Sequence, residues 1–406
     1  MHTDCLILGG GAAGLCAASY LSDKGFQVTV LEKLDRVGKK ILATGNGRCN
    51  LSNTDLNPTY YGSAASFVQT VYEQTPPGWV TSHFVQLGLM TAEESRRIYP
   101  RTMAASSVLD VLRAGCAHPN VSILTGQEVV RLLPSRRGGF SVETKSGEGF
   151  FAPSVLVAMG GSAAPNMGTD GSGTRICQEL GHSITGLYPA LVQLRCAHPA
   201  LRSLKGIRVQ ADLKLLVDGE CTAREYGELL FTDYGVSGVC VFQLSREASP
   251  ALEKKQNVKI VINFLPEVDD LDEWLDTRIS MLNETTAQTL FTGALPRLLA
   301  QAILREAHIA PDTPSSSLSE NDRRALLDAL SAFTLPVTGT QGFSNAQVTR
   351  GGVQLDEVDP ETMASRLFGG LYFAGEVLDV DGPCGGYNLH FAFASALTAA
   401  RAIAGI

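Results

Sequence analysis

Three glycines near the start of the chain have the spacing of a site that holds a dinucleotide. The apolar run Cys5–Leu8 is followed by Gly9, Gly11 and Gly14 in the pattern Gly-x-Gly-x-x-Gly. In this pattern the first glycine allows a tight turn, the second lets backbone N–H groups approach a pyrophosphate, and the third lets a helix pack closely on the strand. Ordinary glycine turns match the same pattern, so the neighbouring elements must decide between the two interpretations.

The segments around these glycines have the order of a Rossmann unit. Residues 12–21 are small and favour a helix, and residues 27–32 form an apolar segment that ends at Glu32. A carboxylate at the end of the second strand is expected to bind a ribose 2′-hydroxyl and to repel a 2′-phosphate. We therefore predict a strand, a glycine turn, a helix and a second strand that together bind a dinucleotide.

The segment after Glu32 is too rich in glycine, asparagine and basic residues for a strand or a stable helix. We predict a long, shaped loop over residues 33–53. In a Rossmann unit this loop lies on the ligand side of the sheet, so its backbone amides and the side chains of Lys40 and Arg48 can meet the cofactor. The alternative interpretation is a solvated loop with a basic character.

Two later segments repeat the pattern of an apolar strand that ends in glycine. Residues 154–157 are followed by Gly160 and Gly161, and residues 371–373 are followed by Gly375. Buried parallel strands have such continuous apolar runs. Each segment predicts a further approach of the backbone to the same ligand.

The chain after Glu376 has the features that the ring end of a flavin site requires. Asp379 and Gly386 lie in a glycine-rich turn, and residues 389–403 predict a helix. An acidic residue here can reach a ribityl hydroxyl or a phosphate-bound water. A helix N-terminus carries roughly half a positive charge, which stabilises negative charge on a reduced flavin. We therefore predict FAD, the alternative being a glycine turn that only caps the helix.

The middle of the chain predicts additional domains. Segments between residues 190 and 264 alternate with period two, which predicts an antiparallel barrel or sheet, whereas residues 268–332 have apolar residues at helical spacing. Within the first domain, residues 64–120 show mainly helical patterning and residues 121–151 predict strands. The predicted division is a Rossmann-type FAD-binding domain at 1–189 and 355–406, a β-barrel substrate domain at 190–266 and 333–354, and a helical cap domain at 267–332.

Charge and cysteine usage exclude several classes of function. The net charge of −8 argues against a nucleic-acid surface, because phosphate binding requires clustered lysine and arginine. The nine cysteines show no spacing typical of a metal site, so no metal is predicted. No apolar run approaches the roughly 18 residues of a membrane span, and the N-terminus lacks a basic leader. We expect a cytoplasmic protein that binds no nucleic acid and no membrane.

The motifs at residues 9–14, 38–50, 227–232, 349–353 and 373–388 together resemble the BaiN-like (YhiN-type) FAD-binding oxidoreductases over essentially the whole chain. The resemblance implies an α/β fold in which a glutathione-reductase-like Rossmann FAD domain is interrupted by an antiparallel β-barrel and a small helical domain. Two departures from the family pattern are visible. Met159 stands where the family commonly has threonine, and His390 with Phe391 stands where more polar residues are usual.

The predicted site has two sets of residues. The residues expected to bind FAD are Gly9, Gly11, Ala12, Ala13, Gly14, Glu32, Lys33, Lys40, Thr44, Gly45, Asn46, Gly47, Arg48, Asn50, Val129, Ala158, Gly160, Gly161, Gly375, Glu376, Asp379, Gly386, Tyr387, Asn388 and Leu389. The candidate catalytic residues are Arg48, Cys49, Tyr387 and His390. Arg48 would stabilise the reduced flavin, and the other three could protonate or position a substrate.

One dinucleotide fingerprint serves one tightly held cofactor, so we expect NAD(P)H as a transient reductant. The resemblance implies either reduction of a conjugated steroid-like enone, as in 3-oxo-Δ4,6 bile-acid intermediates, or an aminoacetone-type oxidase that forms hydrogen peroxide. We predict the reductase, acting on a small hydrophobic organic substrate. A flavin-binding redox sensor without turnover is a further alternative, and a tRNA-modifying flavoprotein is disfavoured by the charge. The sequence does not indicate an oligomeric state.

Overall fold

The computed structural model describes residues 3–136, 138–282 and 284–406, which form two compact units. The first unit contains the described residues up to Tyr188 together with Gln347–Ile406. The second unit is Pro189–Ala346. The first unit is therefore built from two separate parts of the chain, and the second from one continuous part.

The strands of the described residues are numbered in chain order. They are β1 (Cys5–Leu8), β2 (Val28–Leu31), β3 (Ser52–Asn53), β4 (Thr91–Glu94), β5 (Arg97–Pro100), β6 (Val121–Leu124), β7 (Val129–Pro134), β8 (Phe140–Thr144), β9 (Gly149–Ala152), β10 (Ser154–Val157), β11 (Tyr188–Ala190), β12 (Leu194–Cys196), β13 (Arg208–Val217), β14 (Glu220–Phe231), β15 (Gly235–Ser237), β16 (Val258–Asn263), β17 (Phe333–Thr340), β18 (Val348–Arg350) and β19 (Leu371–Phe373).

The α-helices are numbered in the same way. They are α1 (Ala12–Asp23), α2 (Ala65–Gln74), α3 (Pro77–Gln86), α4 (Ala105–Gly115), α5 (Ser172–Leu180), α6 (Leu201–Leu204), α7 (Val239–Glu253), α8 (Leu271–Met281), α9 (Arg297–Glu306), α10 (Glu320–Ser331) and α11 (Tyr387–Ala404). Short 3₁₀ segments lie at Ile41–Gly47, Pro58–Ala64, Pro165–Met167, Ala287–Phe291, Ser315–Ser317, Leu355–Glu357 and Gly375–Val377.

A five-stranded sheet forms the centre of the first unit. Its strand order is β19-β10-β1-β2-β6, and every neighbouring pair is parallel. All residues of β1 and β2 are buried, as the continuous apolar runs predict for strands covered on both faces. Since the strands are parallel, the glycine turns after β1, β10 and β19 lie at the same edge of the sheet. The predicted Rossmann-type architecture is thereby confirmed.

Two small antiparallel sheets complete this unit. Strands β7, β8 and β9 form one of them, largely within residues 121–151, for which the sequence predicts strands. Strands β3, β5 and β4 form the other. The second sheet differs from the mainly helical pattern predicted for residues 64–120. Its strands are short, and β4 has the sequence Thr-Ala-Glu-Glu with exposed glutamates, so no apolar alternation marks it.

The second unit contains a closed six-stranded barrel with the order β12-β15-β14-β13-β16-β17. Its strand pairs are antiparallel, which confirms the predicted barrel. Apolar residues of β13 and β16 share one core with residues of the helices α9 and α10. Barrel and helices thus form a single compact unit, because they bury the same hydrophobic core. The finer division into a barrel domain and a helical cap domain stays a prediction.

The structure departs from the sequence prediction at α7 and β14. Helix α7 lies between residues 190 and 264, where the sequence predicts strands, and β14 begins at Glu220, before any period-two pattern appears within it. The first nine residues of β14 are exposed or half-buried, so they carry no apolar alternation. Helix α7 contains Pro250 near its end, which is a helix-breaking signal.

Candidate functional site

The three glycines of the motif after β1 have different surroundings, and two of them lie close to other backbone atoms. A Cβ on Gly9 would lie 2.5 Å from the carbonyl oxygen of Ala158, and Gly9 has a φ of +104°. A Cβ on Gly14 would lie 1.9 Å from the carbonyl oxygen of Gly9. A Cβ on Gly11 would meet no atom within 4 Å, so this glycine borders open space. A pyrophosphate requires open space of this kind to approach the backbone closely.

The backbone N–H groups in the first turn of α1 face that space and have no partner within the helix. No side chain caps the helix at Gly11, and no acidic residue lies in the first turn. The first intrahelical hydrogen bond runs from the Leu15 N–H to the Gly11 carbonyl, so the N–H groups of Ala12, Ala13 and Gly14 have no earlier carbonyl within the helix. A helix N-terminus of this kind binds anions such as phosphate.

Glu32 fixes the shape of the same turn. Its Oε2 accepts a hydrogen bond from the Gly10 N–H at 2.9 Å, and its Oε1 accepts one from the Leu34 N–H at 2.8 Å. Each carboxylate oxygen has two acceptor sites, so the half-buried carboxylate can also accept a ribose hydroxyl. Glu32 therefore both orders the turn and fits the predicted contact with a ribose.

A second network joins the loop after β2 to the end of β19. Lys40 Nζ lies 2.8 Å from Glu376 Oε2, and Glu376 Oε1 accepts the N–H of Thr349 at 2.9 Å. The Thr349 hydroxyl oxygen in turn accepts the N–H groups of Ser162 and Ala163. These contacts connect three segments that follow β2, β10 and β19.

The turn after β10 is packed against this network. A Cβ on Gly161 would lie 2.4 Å from the Thr349 hydroxyl and 2.9 Å from the Glu376 carboxylate, so only glycine fits. Nearby, Lys33 Nζ pairs with Asp170 Oδ1 at 2.9 Å. Burial opposes ionisation of Asp170, but hydrogen bonds from Lys33 and Ser172 outweigh it and lower the pKa of Asp170 to about 2.

The loop of residues 41–50 has the irregular backbone that its sequence predicts. Gly45, Asn46 and Gly47 all have positive φ angles, and all three are exposed. The Thr44 hydroxyl donates to the Ile41 carbonyl at 2.6 Å and closes the preceding turn. The exposed backbone of these residues remains available to a ligand.

Helix α11 begins beside the end of this loop. Gly386 is its N-cap residue, no side chain caps the helix, and its first turn contains no acidic residue. A Cβ on Gly386 would lie 2.7 Å from Asn50 Oδ1, a buried acceptor without a hydrogen-bond partner in the described part of the chain. The Asn388 amide instead bonds the N–H and the carbonyl of Gly382, both at 2.8 Å. The N–H groups at the start of α11 are therefore not used by side chains.

Gly375 lies close to both α1 and α11. A Cβ on Gly375 would lie 3.3 Å from the Cβ of Ala13 in α1 and 3.5 Å from the Cβ of Ala392 in α11. The Gly375 N–H donates to the Ser395 hydroxyl at 3.0 Å. Gly375, which follows β19, thus lies between the first turn of α1 and the second turn of α11.

The remaining predicted cofactor residues lie on neighbouring segments. Val129 is the first residue of β7 and is buried, while Gly160 has a φ of +71° in the turn after β10. Leu389 lies in the first turn of α11, and Asp379 lies before α11 beside a cavity. The roles of all these residues in cofactor binding stay predictions.

Arg48 lies on the exposed side of its loop. Its guanidinium hydrogen-bonds the carboxylate of Glu94 and lies 4.3 Å from the centroid of the Tyr99 ring. These contacts fix the side chain through cation–π and charge-pair interactions. The predicted role of Arg48 beside a reduced flavin stays a prediction.

Cys49 and His390 are both buried. Burial raises the pKa of the Cys49 thiol to about 11, so the thiol stays protonated at neutral pH. Burial lowers the pKa of His390 to about 3, which keeps the imidazole neutral. His390 Nδ1 lies 2.8 Å from the Ser52 hydroxyl, and among the described residues its Nε2 has no partner. Both side chains pack against neighbouring residues of the site and do not face open space.

Tyr387 begins α11 and is largely buried. Its ring contacts those of Tyr60 and Tyr61 edge to face, and the Tyr61 hydroxyl donates to the Tyr387 carbonyl at 2.9 Å. Burial, followed by the charge of Asp55, raises the pKa of Tyr387. The tyrosines thus hold the start of α11 in place.

Sequence reasoning missed several residues of this region. Thr349 and Arg350 belong to a motif and Asp381 to a glycine-rich turn, but the sequence predicts no individual role for them or for Tyr61. The alternation of Asp379 and Asp381 in an extended segment was the available signal, because alternate residues of an extended chain face the same side.

The donors and shape of this region fit FAD. The start of α1 and the open space at Gly11 fit the phosphates of a dinucleotide. The start of α11 fits the ring end, and the Glu32 carboxylate fits a ribose. Among the described residues, no three His, Cys, Asp or Glu side chains are grouped to hold a metal ion. No helix in the described ranges has the length and apolar character required to cross a membrane.

Known proteins resemble this chain along almost its whole length. The family model described as "HI0933-like protein Rossmann domain" matches residues 3–402. The 3-dehydro-bile acid delta(4,6)-reductase of Clostridium scindens is 38% identical over 403 residues, which are 98% of each chain. The ribosomal RNA dihydrouridine synthase of Haemophilus influenzae is 28% identical over 421 residues, covering 99% of this chain and 98% of that protein.

Among solved structures, the 3-ketosteroid delta1-dehydrogenase of Sterolibacterium denitrificans, in complex with 1,4-androstadiene-3,17-dione, has a similar fold. Its TM-score is 0.53 at 13% identity, with 100% of this chain and 99% of that chain covered. At this identity the likeness concerns the fold alone.

Proposed function

Because the chain belongs to the HI0933-like family, we propose that it reduces an electron-poor C=C bond conjugated to a carbonyl group, in a small hydrophobic molecule of the 3-oxo-Δ4,6 steroid type. Family membership confirms the prediction of an FAD-dependent oxidoreductase. The observation that carries the proposed substrate class is the 38% identity, over 98% of both chains, to a 3-dehydro-bile acid delta(4,6)-reductase.

The chain's own residues would hold FAD in the following way. The N–H groups of Ala12, Ala13 and Gly14 would bind the pyrophosphate, and Glu32 would bind the adenosine ribose. The first turn of α11 would place its N–H groups at the ring end, where the helix dipole stabilises negative charge. When bound, FAD supplies the hydride chemistry, and NAD(P)H is proposed as its transient reductant.

Lys40 and Glu376 would shape the middle of the site. Their 2.8 Å ion pair joins two segments that follow different strands, and both side chains are about one-fifth exposed. The ion pair therefore joins the loop after β2 to the segment after β19, near the expected position of the ribityl hydroxyls. Cys49 and His390 would act as positioning residues, because both are buried and neither is charged at neutral pH.

The test is a pair of anaerobic half-reactions on the purified protein. We expect a yellow protein whose flavin absorbance disappears on addition of NADH or NADPH. The absorbance should return on addition of a 3-oxo-4,6-diene steroid, and the product should be the ketone in which the Δ4 or the Δ6 double bond is reduced. Saturated steroid ketones are the matched control and should not restore the colour. A protein that binds no FAD, or whose reduced flavin no enone reoxidises, would contradict the proposal. Peroxide formation with aminoacetone and no nicotinamide would select the oxidase alternative.

A second candidate is reduction of a uracil ring in ribosomal RNA. It is favoured by the similarity to a ribosomal RNA dihydrouridine synthase. Uridine also carries a C=C bond conjugated to a carbonyl, so the reduction chemistry is of the same type. The net charge of −8 and the lower identity favour the small molecule. Two results would support the RNA substrate instead. One is a gel shift with rRNA fragments at moderate salt, and the other is loss of dihydrouridine from ribosomal RNA in a strain that lacks the gene for this chain.

A further inference from the structure

A cavity of about 170 Å³ lies in the first unit beside the start of α11. Its lining includes Tyr61, Thr185, Tyr188, Arg350, Asp379 and Asp381. Neither Cys49 nor His390 lines it, although both were candidate proton donors. The cavity therefore contains a separate group of titratable side chains next to the proposed ring end of the cofactor site.

Backbone contacts hold the cavity's walls in a fixed arrangement. The Asp379 N–H donates to the Val353 carbonyl at 3.1 Å, and the Val353 N–H donates to the Val377 carbonyl at 2.9 Å. A Cβ on Gly352 would lie 2.5 Å from the Val377 carbonyl oxygen, so the two segments touch through glycine. The Thr185 hydroxyl accepts the Gly352 N–H at 3.0 Å and joins a third segment to them.

The cavity is also tied directly to the first turn of α11. The Tyr61 hydroxyl donates to the Tyr387 carbonyl at 2.9 Å, and a Cβ on Gly382 would lie 2.9 Å from both the Tyr61 ring and the Tyr387 side chain. Asn388 bonds the backbone of Gly382 on both sides. The segment that carries the two aspartates thus has a defined position relative to α11.

The two aspartates have different environments. Asp381 is buried, and its Oδ1 lies 4.0 Å from Arg350 Nε. Asp379 is half-buried, and burial raises its pKa, with a further rise from the nearby Asp381. Thr185, Arg350 and the Gly351 backbone act in the opposite direction but do not outweigh burial. The groups that face Asp379 are therefore Asp381, Arg350 and Thr185, with Tyr61 and Tyr188 in the same lining. The raised pKa of Asp379 makes its carboxyl group a candidate acid.

We propose that Asp379 is the proton donor of the reduction, acting on the carbon next to the substrate carbonyl. This role depends on the proposed function. Reduced FAD would supply the hydride that the β-carbon accepts, and the electron pair of the C=C bond would move into the conjugated carbonyl. The O–H bond of Asp379 then breaks, a C–H bond forms at the α-carbon, and the C=O bond is restored. The Asp379 carboxylate takes a proton from solvent before the next turnover.

The test separates the two half-reactions in Asp379→Asn. We expect reoxidation by a 3-oxo-4,6-diene, measured per bound flavin because Asp379 is also a predicted FAD contact, to slow about 10²- to 10⁴-fold. The rate of flavin reduction by NAD(P)H, taken per bound flavin in the same way, should change far less. The wild-type reoxidation rate should fall as pH rises through the pKa of Asp379, and this decline should be missing in the variant. Asp356→Asn, at an exposed position in the same unit, is the matched control and should leave both half-reactions unchanged.

A second variant tests the environment rather than the acid itself. Asp381→Asn removes the neighbouring charge that raises the pKa of Asp379, so the decline with pH should move to lower pH. Wild-type reoxidation rates and an unchanged pH profile in Asp379→Asn would overturn the role of Asp379 alone. A wild-type protein whose reduced flavin no enone reoxidises would reject the proposed function, and this role with it.

Discussion

Gly11 and Gly14 lie in the same turn, but their surroundings are opposite. Gly11 has a φ of −86°, which other residues adopt, and a Cβ there would meet only open space. Gly14 is in direct contact with the carbonyl oxygen of Gly9. We therefore expect that a ligand requires Gly11, whereas the packing of α1 against the turn after β1 requires Gly14.

This contrast predicts separable effects of two substitutions. Gly11→Val should fold with nearly wild-type apo stability but lose FAD retention, since its side chain fills the space for the pyrophosphate. Gly14→Ala should destabilise the first unit by about 1–3 kcal/mol through overpacking. Flavin content per chain and thermal unfolding of the apoprotein measure the two effects. Equal destabilisation by both variants would contradict this assignment.

His390 predicts how stability depends on pH. Its pKa in the folded protein, about 3, is below the unfolded value of about 6.5, so its contribution is complete above pH 6.5 and is lost as pH falls towards 3. At pH 5 the loss is about 2 kcal/mol. Denaturant unfolding from pH 7 to pH 5 should show a smaller decline for His390→Gln than for the wild type. His118→Gln, at an exposed position, should decline like the wild type.

At the scale of elements, the segment before α11 depends on the Asn388 side chain. Its amide is the group that bonds both the N–H and the carbonyl of Gly382. Asn388→Ala should cost about 1–2 kcal/mol of unfolding free energy, because the two backbone groups lose their partner. Asn345→Ala, where the side chain is exposed, is the matched control and should change little. Equal stability of the two variants would show that the Gly382 contact contributes nothing.

Elements with a strong apolar pattern were predictable from the sequence, and elements without one were not. The strands β1, β2, β10 and β19 are short and largely buried, and the glycine turns after β1, β10 and β19 indicate the edge of the sheet. The two exposed glutamates of β4 and the polar first part of β14 gave no such pattern. The cavity at Asp379 was not predictable, because it is formed by segments far apart in sequence.

At the scale of the whole molecule, the continuous unit Pro189–Ala346 has its own closed barrel and its own core. We expect this fragment to fold by itself, with a cooperative thermal transition that FAD does not shift. In the full chain FAD should raise the transition of the first unit only, since a ligand stabilises the unit that binds it. Circular dichroism of the fragment with and without FAD checks this. A fragment without cooperative unfolding, or one stabilised by FAD, would contradict the expectation.

The split construction of the first unit also sets an order of events during synthesis on the ribosome. Strand β1 and its glycine turn emerge early, whereas β19 and α11 emerge only after the whole barrel unit has been made. Until then, any parallel sheet formed by β6, β2, β1 and β10 has an unpaired edge at β10. A product truncated before residue 371 would contain every glycine of the opening turn and still lack β19, Glu376 and the second helix start.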